Sequence, residues 1–159
     1  MPHHSTTQRD EAAAGHFVEA FALVLTDAGM QRTAARTFSA LLASAAGRLS
    51  ARDIADTLQV SPSAVSGAVR YLEHVDLVRR IRDPGARVDH FVLGRDVWYE
   101  AMMNESRIFD AMSETLDAGI EAVGRDSDAG QRLADTHDFC TFMRDEMPRL
   151  FQRWRDART

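Results

Sequence analysis

Two helix starts stand eleven residues apart in the middle of the chain, and this spacing constrains the fold more than any other feature. Ser50 followed by Asp53 has the form of a capping box with Asp in place of Glu, opening a segment whose apolar positions are Ile54, Ala55 and Leu58. That segment is only about two turns long before Gln59-Val60 interrupts it. Ser61-Pro62 then starts a second helix: serine caps free amides, and proline takes the first-turn position, where no donor is needed. Val65, Ala68, Val69 and Leu72 supply its buried face. Two helices joined by so tight a turn must cross rather than lie side by side, and Ala55 is small where they would cross.

After His74 the pattern changes. Residues 77–82 (Leu-Val-Arg-Arg-Ile-Arg) and 88–93 (Val-Asp-His-Phe-Val-Leu) are short β-branched-rich runs separated by Asp83-Pro84-Gly85-Ala86, which reads as a β-hairpin with a turn at its tip. Upstream, Phe17, Phe21, Val24, Leu25 and Ala28 form one helical face ending at Gly29, and Ala34, Phe38, Leu41, Leu42 and Ala45 form another ending at Gly47. From Asp96 to Gly124 a helical period persists through Trp98, Met102, Ile108, Phe109, Met112, Leu116 and Ile120. About 28 residues make a rod of about 40 Å, longer than so small a chain can cover. A last helix from about Asp128 carries Leu133, Cys140, Met143, Met147, Leu150, Phe151 and Trp154, with Pro148 expected to kink it or end its first half.

The expected fold class is therefore mainly α with a small β-hairpin: a winged helix-turn-helix flanked by long dimerisation helices. The expected boundaries are an N-terminal dimerisation helix in 1–30, a DNA-reading domain in 31–95 and a C-terminal dimerisation region in 96–159. The run from Leu49 to Ala55, the run from Ser61-Pro62-Ser63-Ala64-Val65-Ser66 to Arg70-Tyr71-Leu72-Glu73, and Leu77-Val78-Arg79-Arg80 together resemble the MarR family of bacterial transcription regulators. Within it the chain looks most similar to the GbsR-like actinobacterial branch, over roughly residues 31–124. The resemblance implies a homodimer on a pseudo-palindromic double-stranded operator, released by a small apolar or phenolic ligand.

The net charge of −5 looks wrong for a nucleic-acid binder. It is unevenly spread: residues 1–47 carry −1, 48–95 carry +2 and 96–159 carry −6. All 19 basic residues are arginine. With Val65, Val69 and Leu72 inward, Ser63, Ser66, Gly67 and Arg70 point outward on the second helix, with Ser61 and Ala64 at its start. Arg70 suits guanine, because one guanidinium bonds O6 and N7 together. Arg87, just past the hairpin tip, and Arg82 are placed for a minor groove, while Arg52 and Arg48 suit phosphate. Arg79 and Arg80 are adjacent in a strand, so only one can aim at phosphate. A face of Ser, Ala and Gly offers few long side chains, which shifts specificity toward DNA shape. Some MarR relatives carry an Asp-x-Arg wing; here Asp83-Pro84-Gly85-Ala86-Arg87 is spaced differently.

Other functions are weighed against this one. A winged helix that binds protein and not DNA would suit the negative charge. Cys140 suggests a thiol-based redox sensor, but its place on an apolar helical face favours a core residue. Phe21, Phe38, Trp98 and Met102 could line a pocket for a small hydrophobic effector, and equally could be core. His3 and His4 read as part of a mobile terminus. A single cysteine excludes an internal disulfide, and Cys/His pairs at zinc spacing are absent. No metal or cofactor is expected, and no nucleophile elbow, P-loop or dinucleotide turn supports an enzyme. Without a signal-like terminus or a long apolar run, the expectation is a cytoplasmic protein with no membrane partner.

Overall fold

In the computed structural model, which describes residues 10–94 and 96–158, the chain order is α1 (Glu11–Asp27), α2 (Arg32–Ala43), β1 (Arg48–Ser50), α3 (Ala51–Leu58), α4 (Pro62–His74), β2 (Arg79–Ile81), β3 (His90–Val92), α5 (Val97–Val123) and α6 (Asp128–Asp156). His3 and His4 lie outside the described residues. The chain divides into two compact units after Val97.

In the first unit, α1 packs on α2, and α2 and α3 both pack on α4. Phe38, Ile54, Val65 and Leu72 keep no exposed surface and form the centre of the core, with Leu41, Leu58, Val69, Leu77, Val78 and Phe91 around them. The hairpin is part of a three-stranded antiparallel sheet in the order β1-β3-β2: Arg48 and Arg79 both pair with Val92, and Ser50 and Ile81 both pair with His90. The third strand, β1, was not expected. Its Ser50 does two jobs, ending the strand and capping α3.

The α1 face differs from the expected one. Val18 and Ala22 are buried, whereas Phe17 and Val24 are exposed and Phe17 stacks on Phe21 at 5.5 Å between ring centres. Small side chains let α1 lie close to α2, and Arg36 clasps Glu19 across the pair through both carboxylate oxygens. The larger apolar stripe is left facing outward. Gly29 does stop α1 in the left-handed conformation, φ +103°, with the Met30 amide reaching back to the Leu25 carbonyl.

Leu77 and Val78 also depart from the expected strand. Both amides donate to the Leu72 carbonyl, the Asp76 amide donates to Glu73, and Asp76 has φ +58°. This is a Schellman closure of α4, with Leu77 and Leu72 as its apolar pair, so the strand starts only at Arg79.

The second unit is a helical hairpin. Tyr99 meets Phe151 and Phe109 meets Phe139 edge to face, and the Asp117 carboxylate lies 3.3 Å from His137. Partner numbers fall as α5 numbers rise, which makes the helices antiparallel. Ser106, Ser113 and Ile120, spaced by sevens, are the buried line of α5. Helix α6 runs on through Pro148 and does not end there. Its 29 residues bridge the one amide hydrogen bond that proline removes. Trp98, Ile108, Met112, Phe139, Phe142, Leu150 and Trp154 keep large exposed surfaces.

Candidate nucleic-acid interface

The two helices of the central motif are positioned by their own termini. Ser50 accepts from the Asp53 amide at 3.1 Å, while the Asp53 carboxylate accepts from the Ser50 amide at 2.8 Å and its hydroxyl at 2.7 Å, which completes the capping box. These donors, the serine hydroxyl first, hold the Asp53 carboxyl below its ordinary value. Helix α3 ends at Gln59 in the left-handed region, φ +54° and ψ 48°. A side chain there is uncommon, and Gln59 offsets the strain by donating its amide to the Asp56 carbonyl at 2.6 Å. The Val60 amide closes on the Ala55 carbonyl, and the next residue, Ser61, caps α4 by accepting from the Ala64 amide at 3.2 Å.

Helix α4 therefore leaves the turn with a fixed rotation. Val65, Ala68, Val69 and Leu72 face the core, as expected, and Ser61, Ser63, Ser66, Gly67 and Arg70 are exposed, with Ala64 half-buried. The Ser61 and Ser63 hydroxyls lie 3.0 Å apart. An ideal Cβ on Gly67 would meet no atom within 4 Å, so nothing inside this chain requires glycine there. The outward face is low and short-chained until Arg70.

In the hairpin, the Ala86 amide closes on the Asp83 carbonyl at 3.0 Å and Gly85 has φ +79°. Proline second and a positive-φ glycine third make a type II turn. Arg87 follows it, exposed. Ion pairs sort the remaining arginines. Arg82 donates to Asp89, Arg48 pairs with Asp83 at 3.0 Å, and Arg80 is forked onto Glu73 with both distances 3.1 Å while lying over the Phe91 ring. Arg52 stands 3.7 Å from Asp56 with most of its side chain in solvent. Among the described residues no carboxylate pairs with Arg70 or Arg87. No residue pattern signals the Glu73–Arg80 fork: the two are seven residues apart in a closed helix end and a strand, which no helical or strand period connects.

Among the other candidates, Phe21 and Phe38 belong to the first unit, Phe38 wholly in its core, and Trp98 and Met102 belong to the second. Cys140 is fully buried. Among the described residues no three His, Cys, Asp or Glu side chains are grouped to hold a metal ion, and no helix is long and apolar enough to cross a membrane.

Two family models match the chain. The MarR family model covers residues 28–87, and the model for MmpR5-like MarR family transcriptional regulators covers residues 96–157. The GbsR-like placement finds no support in them. A solved structure described as a transcriptional regulator is 21% identical over 91% of this chain and 99% of its own, with a TM-score of 0.81. TrmBL2, an archaeal chromatin protein, is 15% identical over 67% of this chain and 40% of its own, with a TM-score of 0.53. MepR, a transcription regulator of the Staphylococcus aureus multidrug efflux pump MepA, is 22% identical over 84% of this chain and 94% of its own, with a TM-score of 0.43. Nothing among the curated proteins matches.

Proposed function

The chain belongs to the MarR family of transcription regulators, matched along both parts of its length, and from that premise we propose that it is a homodimeric repressor of a pseudo-palindromic operator. The family fold implies regulation through DNA, not catalysis. One observation carries the proposal furthest: Arg70 and Arg87, both exposed and with no carboxylate pairing with them among the described residues, stand on the reading helix and just past the hairpin tip. Arg70 reads guanine in the major groove. Arg87 enters the adjacent minor groove, and Ser63, Ser66 and Arg52 contact phosphate. Arg82 takes part only if DNA displaces Asp89 from it.

Dimerisation is supported by the apolar surface a single chain leaves open: Phe17, Leu23 and Val24 in one unit, and Trp98, Phe139 and Phe142 in the other. Two-fold symmetry would place two reading helices about one DNA turn, roughly 34–36 Å, apart. Release by a small hydrophobic molecule completes the proposal, and a thermal-shift screen of apolar compounds tests it.

Fragments selected from the source genome supply the operator for the main test. Arg70→Ala should cost about 1–3 kcal/mol on the operator and relax the preference at one base pair. Binding should weaken steeply with salt, since each phosphate engaged adds about 0.9 to the slope of log affinity against log salt. A flat slope would refute DNA binding and favour a protein-binding winged helix.

A further inference from the structure

The forked pair between Glu73 and Arg80 sits where the reading helix ends and the wing begins. Glu73 is in the last turn of α4, where the helix dipole disfavours an acid. Both of its oxygens are occupied, by Nε and by a terminal nitrogen of Arg80. A further Arg80 nitrogen lies 3.6 Å from Asp89, and Asp89 accepts from Arg82. The Arg80 guanidinium rests 5.3 Å from the centre of the Phe91 ring, on the strand that pairs with both neighbours. A continuous polar chain, Glu73–Arg80–Asp89–Arg82, thus runs from the reading helix across β2 to β3. Exposed ion pairs contribute little to global stability, so this one does not hold the fold. A bidentate fork does fix direction.

We propose that Glu73 and Arg80 are positioning residues that set the wing's angle to the reading helix, so that Arg70 and Arg87 reach their two grooves together. Arg80 is then not a phosphate contact, although its position in a basic strand suggests one. The proposal rests on the DNA-binding function above, but its first test does not.

Nitroxide labels on Ser66→Cys and Val88→Cys, in full-length chain diluted with unlabelled chain, report the helix-to-wing distance without DNA. The fully buried Cys140 stays in place. Glu73→Ala and Arg80→Ala should each broaden the distance distribution, and the double variant no further. On the operator each should weaken binding about tenfold, with the pair non-additive and the salt slope unchanged. A distribution as narrow as wild type in both single variants overturns the proposal. So does a salt slope that falls by about 0.9 in Arg80→Ala, or tighter binding in Glu73→Ala, since either makes Arg80 a phosphate contact restrained by its carboxylate. A wild-type chain that binds no DNA overturns the function above, while the distance measurement still decides the helix-to-wing coupling.

Discussion

Replacing Gly67 by alanine separates what the reading helix needs in order to fold from what it needs in order to bind. Glycine inside a helix costs about 1 kcal/mol relative to alanine, because its unfolded backbone is freer. Ordinarily a clash could cancel that gain. Here the new methyl would meet nothing within 4 Å, and the position is exposed in the middle of α4, between Ser66 and Arg70. The free protein should therefore gain close to the full 1 kcal/mol, which for a chain of this size raises the melting temperature by about 2–4 °C. On DNA the sign should reverse. On the proposed function, the face formed by Ser63, Ser66 and Gly67 would let the helix backbone approach the base edges, and a methyl at its centre should push the helix out and cost about tenfold or more in operator affinity per half-site, roughly 1.4 kcal/mol. Because no charge is removed, the salt slope should not change. Differential scanning calorimetry and fluorescence anisotropy on the same preparation measure both quantities. A variant that is more stable and binds equally well would refute close backbone approach, leaving glycine as mere tolerance. A variant less stable than wild type would refute the assignment of open space.

Other substitutions address the supports of the site. Ser61→Ala removes the cap on the Ala64 amide and should cost about 1 kcal/mol in thermal or urea unfolding, with Pro62 still defining the helix start. Gly130→Ala should destabilise by about 1–3 kcal/mol, because its Cβ would stand 2.1 Å from the Gly124 carbonyl oxygen and the turn between α5 and α6 would have to open; an unchanged urea midpoint would contradict this. Asp53 gives a pH dependence of defined sign. Its folded pKa lies below the ordinary 3.8, so its contribution is present above that value and is lost as pH falls through the lower, folded one. Asp53→Asn should accordingly show a shallower loss of stability than wild type below about pH 4, measured by urea midpoints across the acid range.

The parts of the fold legible in the sequence are those in which one residue type has one job at one position. The Ser50/Asp53 box, the Ser61-Pro62 start, the inward set Val65, Ala68, Val69 and Leu72 and the Asp83-Pro84-Gly85 turn are of this kind, since caps and turns are local. Strand β1 escaped because three residues hold too little alternation to register a period of two, and its pairing partner lies forty or more residues away. The Leu77-Val78 pair escaped because apolar residues closing a helix end look like the start of a strand. Helix α1 has two apolar stripes. Periodicity selected the one with larger side chains, whereas the chain buries the one with smaller side chains.

The same distinction applies to charge, and there it bears on function. The excess of +2 makes residues 48–95 the only positive part of the sequence. Pairing redistributes it. Glu73 and Asp89 hold Arg80, Asp89 also holds Arg82, and Asp83 holds Arg48. A cation already neutralised at hydrogen-bond distance contributes little to long-range attraction for phosphate. The effective positive charge is therefore carried by individual side chains, Arg70 and Arg87 foremost, on a protein whose overall field is repulsive to DNA. Non-specific affinity should be low and should rise little as salt is reduced, while on the proposed function operator binding should depend on a few planar guanidinium groups arriving at the correct angle. Under that regime the geometry between helix and wing matters more than the count of arginines, so Asp89→Asn should not tighten operator binding even though it releases Arg82, while Arg80 stays forked onto Glu73.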